Sequence, residues 1–279
     1  TPNRREEVPD TLDAQILRDA EPFFSRGEKM QLTYEVQNVL RSIGARSSSS
    51  IVRKFGEKAL PEGRLHIRLT GSAGQSLGAF SVQGLLLDVI GDANDYVGKG
   101  LSGATIQLRP PADSPFVAGD NTIIGNTCLY GATSGKLYAA GQAGVRFAVR
   151  NSGAEAVIEG CGANGCEYMT GGRVAILGEV GDNFGAGMTG GVAFIWDQEK
   201  RFEQVANPDA IDWYPLADME QKHIDVFKML LEIHVERTRS ARAKELLKEW
   251  DQTLSETLMI VPKEISNRVF GETGLKKSA

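Results

Sequence analysis

Leu85-Leu86-Leu87-Asp88-Val89-Ile90-Gly91-Asp92-Ala93-Asn94-Asp95-Tyr96-Val97-Gly98-Lys99-Gly100-Leu101-Ser102-Gly103-Ala104-Thr105-Ile106-Gln107-Leu108 holds one unit of the pattern that governs this chain and the start of the next. An apolar run, Leu85 to Ile90, gives way to glycine-rich sequence, and 19 residues after its start a second run opens at Ala104. The pattern extends in both directions, from Gly71 to Trp196. Of the 32 glycines, 26 lie between Gly71 and Gly191. A glycine is followed six residues later by another at Gly78/Gly84, Gly119/Gly125, Gly135/Gly141, Gly165/Gly171 and Gly185/Gly191. Further apolar runs start at Thr122, Leu137, Ala156, Val174 and Val192, so the seven starts are separated by 19, 18, 15, 19, 18 and 18 residues. Self-similarity at so short a period signals stacked units, none of which buries its apolar face without a neighbour.

The runs are four or five β-branched or aliphatic residues long and lack helical spacing. At roughly 3.3 Å per residue they make strands of about 15 Å joined by sharp turns. The expected fold is mainly β: a right-handed parallel β-helix, a solenoid of about seven turns, with an N-terminal α/β lead-in and C-terminal helices. Glycine suits its corners, where left-handed backbone and close approach of neighbouring coils are needed. The expected organisation is a lead-in and cap over 1–60, the solenoid over 61–200, and a connector with helices over 201–279.

The flanks read differently. Residues 1–9 have the character of a linker. Asp10 or Thr11 is placed to cap a helix running to Ala20 and ended by Pro22. Met30, Leu32, Tyr34 and Val36 alternate with polar residues as a half-buried strand does. Ser47 to Phe55, closed by Gly56, reads as a helix turning Ile51, Val52 and Phe55 inward; Arg64 to Leu69 alternates again. This lead-in is expected to cover the open strand edges of the first coil. Residues 197–215, with Pro208 and Pro215, read as a connector, Leu216 to Arg239 as an amphipathic helix, Ser240 as the cap of a second helix to Trp250, and Leu258 to Val261 as a short extended piece. The last nine residues are expected to fray.

A formal net charge of -5 offers nothing to attract nucleic acid or an anionic membrane, and no apolar run reaches the roughly 18 residues of a membrane span. Cys128, Cys161 and Cys166 are too few for a secreted disulfide framework, which points to a reducing cytoplasm. Because Thr1 opens the sequence, the chain is expected to be part of a longer polypeptide.

Several patterns invite a chemical reading. G-x-G-x-x-G occurs at Gly98-Gly100-Gly103, Gly160-Gly162-Gly165 and Gly185-Gly187-Gly190, but a dinucleotide fingerprint needs a helix after it. Here β-type residues follow, such as Thr105 to Leu108, so all three read as corners of a repeat. Cys161 and Cys166, with Cys128, fall short of an iron–sulfur ligand set and read as small buried hydrophobes. Asp92, Asn94 and Asp95 start a calcium-loop order that fails at Tyr96, leaving a solvated turn. His66, His223 and His234 have no serine elbow or cysteine partner nearby, which leaves no triad. A carbohydrate-active enzyme would want a cleft with stacked aromatics and clustered acids. Aromatics make up 7% of the chain, and Phe80, Tyr96, Phe116, Tyr130, Tyr138, Phe147, Tyr168, Phe184, Phe194 and Trp196 show no external ladder in the sequence. No catalytic, cofactor-binding or metal residue is assigned.

Five runs in order resemble one family: Leu69 to Ser76, Gly91 to Gly100, Ile124 to Thr133, Asn164 to Gly172 and Asn183 to Gly191. They are similar to the C-terminal glycine-repeat domain of the glutamate synthase large (α) subunit, over nearly the whole chain. A related domain occurs in a formylmethanofuran dehydrogenase subunit, whose flanks differ. The resemblance implies a domain of an enzyme that makes two L-glutamates from L-glutamine and 2-oxoglutarate. It implies upstream glutaminase and FMN-barrel domains, a 3Fe-4S cluster, and NAD(P)H or ferredoxin as reductant, with a small electron-donor subunit in some forms. The cluster cysteines belong to the barrel, so Cys128, Cys161 and Cys166 inherit no ligand role. The expected role is a non-catalytic spacer; the alternative is a free-standing cytoplasmic β-helix acting as a carbohydrate-active enzyme or a protein-interaction module.

Overall fold

The structure is a computed structural model that describes residues 10–269. The linker expected over 1–9 and the fraying expected over the last nine residues lie outside the described residues. Helix α1 (Leu12–Asp19) opens the described chain, and Thr11 Oγ1 accepts from Ala14 N to cap it. Pro22 does not simply end this helix. It sits in the first turn of a second one, α2 (Glu21–Arg26), where its missing N–H costs nothing. Strand β1 (Met30–Val36) and helix α3 (Ala45–Phe55) follow, with Ile51 buried in the core and Val52 exposed.

The alternating segment from Arg64 becomes β2 (Leu65–Ala73), and the seven apolar runs fall in β3 (Leu85–Ala93), β4 (Ser102–Arg109), β5 (Thr122–Ile124), β6 (Ser134–Ala139), β8 (Ser152–Ile158), β9 (Thr170–Ile176) and β10 (Gly190–Trp196), while β7 (Gln142–Ala143) matches no run. Beyond them come α4 (Phe202–Val205), β11 (Ile211–Pro215), α5 (Gln221–Thr238), α6 (Ala241–Lys248), α7 (Trp250–Ser255), β12 (Thr257–Pro262) and α8 (Lys263–Val269).

The solenoid of about seven turns expected from the repeat is not what forms. The strands make one 12-stranded sheet in the order β1-β2-β3-β4-β6-β8-β9-β10-β12-β11, parallel through β10 and antiparallel for the last two strands, so the molecule is mixed α/β. Two features of the sequence account for the difference. The fifth segment is a short strand off the main path, paired with β3 and β7, so it adds no rung to the main ladder. The strands are also apolar on both faces, and a sheet of that kind needs cover on both. On one face Leu32, Ile67, Leu87, Ile106, Leu137, Ala156, Val174, Ala193 and Ile260 stand in register from rung to rung. On the other, Tyr138, Val157, Ala175 and Phe194 pack under Phe227, Leu230 and Leu231 of α5 and Leu246 of α6. The supposed connector contributes α4 and the edge strand β11, and the piece at Leu258 to Val261 is β12, inserted between β10 and β11.

Between the strands the chain turns by a device the glycine spacing only hinted at. In each unit three alternate residues take left-handed backbone: Tyr96, Gly98 and Gly100; Thr127, Leu129 and Gly131; Arg146, Ala148 and Arg150; Asn164, Cys166 and Tyr168; Asn183, Gly185 and Gly187. Their N–H groups donate alternately to the unit ahead and the unit behind, as in Arg146 to Ala163 O, Ala148 to Cys128 O and Arg150 to Glu167 O.

Candidate functional site

Each sequence candidate can now be placed. Gly98 (φ +65) and Gly185 (φ +75) sit in these turns, each chain continues into a strand rather than a helix, and Gly160 (φ +155) lies at an isolated bridge through Cys161. No helix N-terminus follows any of the three, so none offers a pyrophosphate the donors it needs. Asp95 Oδ1 accepts from Asn126 N at 2.7 Å and ties one turn to the next, which is a structural duty. Phe80 and Tyr168 are exposed in the same turn column with Gly100, Gly131 and Arg150 between them, and Tyr96, Phe116 and Tyr130 are exposed as well. Tyr138, Phe147, Phe184 and Phe194 are buried.

The three cysteines are buried and free. Burial pushes the Cys128 and Cys161 thiols up to about 12, and raises Cys166 well above the ordinary value with help from the neighbouring Cys161. Protonated thiols facing a core are poor nucleophiles and poor ligands. Among the described residues no group of three His, Cys, Asp or Glu is arranged to hold a metal ion. An iron–sulfur cluster would need three or four thiolates, and these three cysteines are buried as protonated thiols.

The histidines and three charged residues that sequence reasoning passed over form the built clusters. Asp88 stands on the outward face of β3, where its rungs bring Arg68 to one side and Gln107 to the other. Its carboxylate, 1% exposed, meets Arg109 at 2.8 Å, Arg68 at 2.9 Å and His66 Nε2 at 3.5 Å. Burial by itself would raise this carboxyl, but His66, Gln107, Arg109 and Arg68 together hold it well below the usual carboxylate range. At the end of β8, buried Glu159 lies 3.3 Å from His234 Nε2 on α5 and accepts from the Ser240 hydroxyl. Ser240 Oγ in turn accepts from Ala243 N at 3.0 Å and caps α6. His223 sits elsewhere on α5, half-buried, its ring pKa lowered by burial and by Lys222.

The third cluster centres on Arg242 of α6. Its guanidinium donates to the carbonyls of Leu177 (3.2 Å), Glu159 (3.3 Å) and Gly119 (3.4 Å) and to Asp120 Oδ1 (3.0 Å). Two glycines make room for it: a Cβ at Gly119 would fall 2.7 Å from Cζ, and one at Gly178 would fall 2.9 Å from Nη1. Beside it, at the carboxyl ends of β9 and β10, opens a cavity of about 380 Å³ walled by Trp196, Arg201, Glu179 and Phe202. Its charges are engaged already: Arg201 with Glu179 and Glu199, and Asp197 with the N–H groups of Arg201 and Phe202 at the start of α4. All three clusters join helix to sheet or rung to rung. The sequence held one signal for them: Asp88 is a charge inside an apolar run, and Glu159 follows one directly. Arg242 had none, since its partners lie 65 to 123 residues away.

Turns with left-handed backbone at alternate residues, glycines fitted to backbone and guanidinium, and three buried charged clusters that join its elements define a glycine-repeat domain. The chain belongs to the GXGXG family, whose profile, described as the GXGXG motif, matches residues 13–263. Over 275 residues it is 56% identical to the glutamate synthase [NADPH] large chain of Azospirillum brasilense, covering 98% of this chain and 18% of that protein. It is 42% identical over 268 residues to the glutamate synthase [NADH] of Schizosaccharomyces pombe, covering 96% of this chain and 13% of that protein. It is also 42% identical over 257 residues to the chloroplastic ferredoxin-dependent glutamate synthase of Spinacia oleracea, covering 90% and 15%. The chain thus spans less than a fifth of the length of these relatives.

Proposed function

We propose that this chain is the glycine-repeat part of a glutamate synthase, where it fixes the relative position of other domains and supplies no reacting group. The observation that carries the reading is that Asp88, Glu159 and Arg242, the centres of the best-built polar clusters of the described residues, each spend their charge on contacts within the domain. The enzyme would convert L-glutamine and 2-oxoglutarate to two L-glutamates with reducing equivalents, using FMN and a 3Fe-4S cluster held elsewhere. Relatives named for NADPH, NADH and ferredoxin share this domain at 42% identity or more, which fits a part indifferent to the electron donor. Its partners would be the glutaminase and FMN-barrel domains, and its three free cysteines fit a reducing, cytoplasmic setting.

A mechanical role suits the packing. Core residues in register over nine strands resist bending, because tilting one rung would open the contacts of the next. Passing released ammonia between two active sites requires that they keep their alignment. In the full polypeptide, disrupting this domain should abolish glutamine-dependent glutamate formation while leaving much of the ammonia-dependent reaction. Normal glutamine-dependent activity in a well-folded enzyme lacking the domain would refute the positioning role, and turnover of glutamine or 2-oxoglutarate by the isolated chain would refute its inertness.

A further inference from the structure

Across the outer face of the sheet, between the loop before β2 and helix α5, runs an open groove. A part of about 710 Å³ crosses the beginnings of β4, β6, β8 and β9 over Gly103, Gly135, Gly153 and Gly172, and at Glu62 it meets a second part of about 370 Å³ beside His66 and Leu86. The glycine floor is imposed by the fold, since a Cβ at Gly153 would fall 2.2 Å from Thr133 O.

The charge of this groove runs against that of the molecule. The chain carries a net -5, yet the groove is lined by Lys29, Lys58, Lys136, Arg173 and Arg237 against only Glu62 and Glu155. Two carboxylates are already seated in it: Glu62, from the loop before β2, lies between Lys136 Nζ at 3.1 Å and Arg237 Nη2, and Glu155 Oε2 lies 3.5 Å from Arg173 Nη1. More donors are present than the domain satisfies. Lys29 and Lys58 have no ion-pair partner among the described residues, and Arg237 Nε is buried without an acceptor. A buried donor left unpaired calls for an acceptor from outside.

We propose that this groove binds an acidic protein segment in extended conformation, whose carboxylates engage Lys29, Lys58 and Arg237 as Glu62 engages Lys136. The trough is long and open rather than enclosed, which favours a segment over a small anion. It crosses the six strands β2, β3, β4, β6, β8 and β9, and at about 4.8 Å per strand it runs about 24 Å, room for roughly seven extended residues. The inference goes beyond the positioning role and does not depend on it.

The test is fluorescence anisotropy on the full 279-residue chain with a labelled peptide of six Glu-Gly repeats at low salt. Binding is expected, with loss of about tenfold or more in affinity for the Lys29→Glu/Lys58→Glu double variant and on raising the salt. Both lysines are exposed and unpaired, so the variant should melt like the parent. Arg201→Glu, at the cavity near α4, should leave affinity unchanged, and a Lys-Gly peptide should not bind. Failure of the acidic peptide to bind, equal binding by the double variant, or its displacement by millimolar inorganic phosphate or citrate would overturn the proposal, the last by making this a small-anion site.

Discussion

Gly91→Ala separates the two reasons a glycine can be required. Gly91 pairs with Gly71 where β3 lies on β2, at φ +145, and a Cβ there would fall 2.0 Å from Gly71 O and 2.8 Å from Gly71 C. Both atoms are backbone, so no rotamer relieves the clash; the rung must open by more than 1 Å at a contact normally above about 3 Å. Overpacking of this kind costs about 1–3 kcal/mol, and the unfavourable φ about 1–2 kcal/mol more. Weakening a neighbouring rung bond, Asn94 N to Ala73 O at 3.0 Å, adds about 1 kcal/mol, for a total near 3–6 kcal/mol. Gly131 is the control: its φ is +62, but nothing lies within 4 Å of an added Cβ, so Gly131→Ala should cost only about 1–2 kcal/mol. Urea unfolding of the two variants against the parent measures the difference directly, and thermal melts should separate them by about 4 °C or more at roughly 2–4 °C per kcal/mol. Equal destabilisation by the two substitutions would refute the claim that close approach of successive rungs, rather than local conformation, sets the glycine grid.

Other outcomes follow from the charged joints and the core. Asp88→Asn should destabilise by about 3–5 kcal/mol, because it leaves Arg68 and Arg109 facing a neutral amide in a buried place, and unfolding by denaturant checks it. Since the folded Asp88 pKa is depressed, its contribution is complete at neutral pH, begins to fade as pH falls below the ordinary 3.8, and is lost as pH falls through the folded value. The parent should therefore lose more stability than Asp88→Asn on acidification in that range. Arg242→Ala should cost about 2–4 kcal/mol by leaving the carbonyls of Glu159, Leu177 and Gly119 without this donor, and hydrogen exchange should rise first in α6. Ser240→Ala removes both the α6 cap and the hydroxyl on Glu159, and should cost about 1–3 kcal/mol in the same denaturation assay. A thiol reagent should modify none of Cys128, Cys161 and Cys166 in the native chain at neutral pH and all three after denaturation.

The strands were legible because a period near 18 or 19 residues repeats the same apolar positions, and repetition needs no knowledge of what packs on them. What the repeat concealed was the second face. Tyr138, Val157, Ala175 and Phe194 alternate with inward residues of the same type, so the runs looked uniformly apolar, and nothing local showed that α5 and α6 cover one side. The period also hid the odd member: Thr122 to Ile124 keeps nearly the right spacing yet pairs off the main path. The capped helices at Thr11 and Ser240 were readable, since a cap acts over three residues. Arg242, which joins α6 to carbonyls in three different units, was not, because its contacts exist only once the sheet has formed.

Left-handed turns explain why these units occur only as a stack. Leu129, Ala148 and Cys166 hold left-handed backbone without being glycine, at about 1–2 kcal/mol each in local strain. Each is the middle member of its turn, buried, and donates to the unit behind: Leu129 to Val97 O, Ala148 to Cys128 O, Cys166 to Phe147 O. Its two flanking partners donate to the unit ahead. A turn therefore recovers its strain only when both neighbours are in place, and one unit alone would face the strain with no partner on either side. Cooperativity of this kind makes the stack of turns present as a whole or absent as a whole.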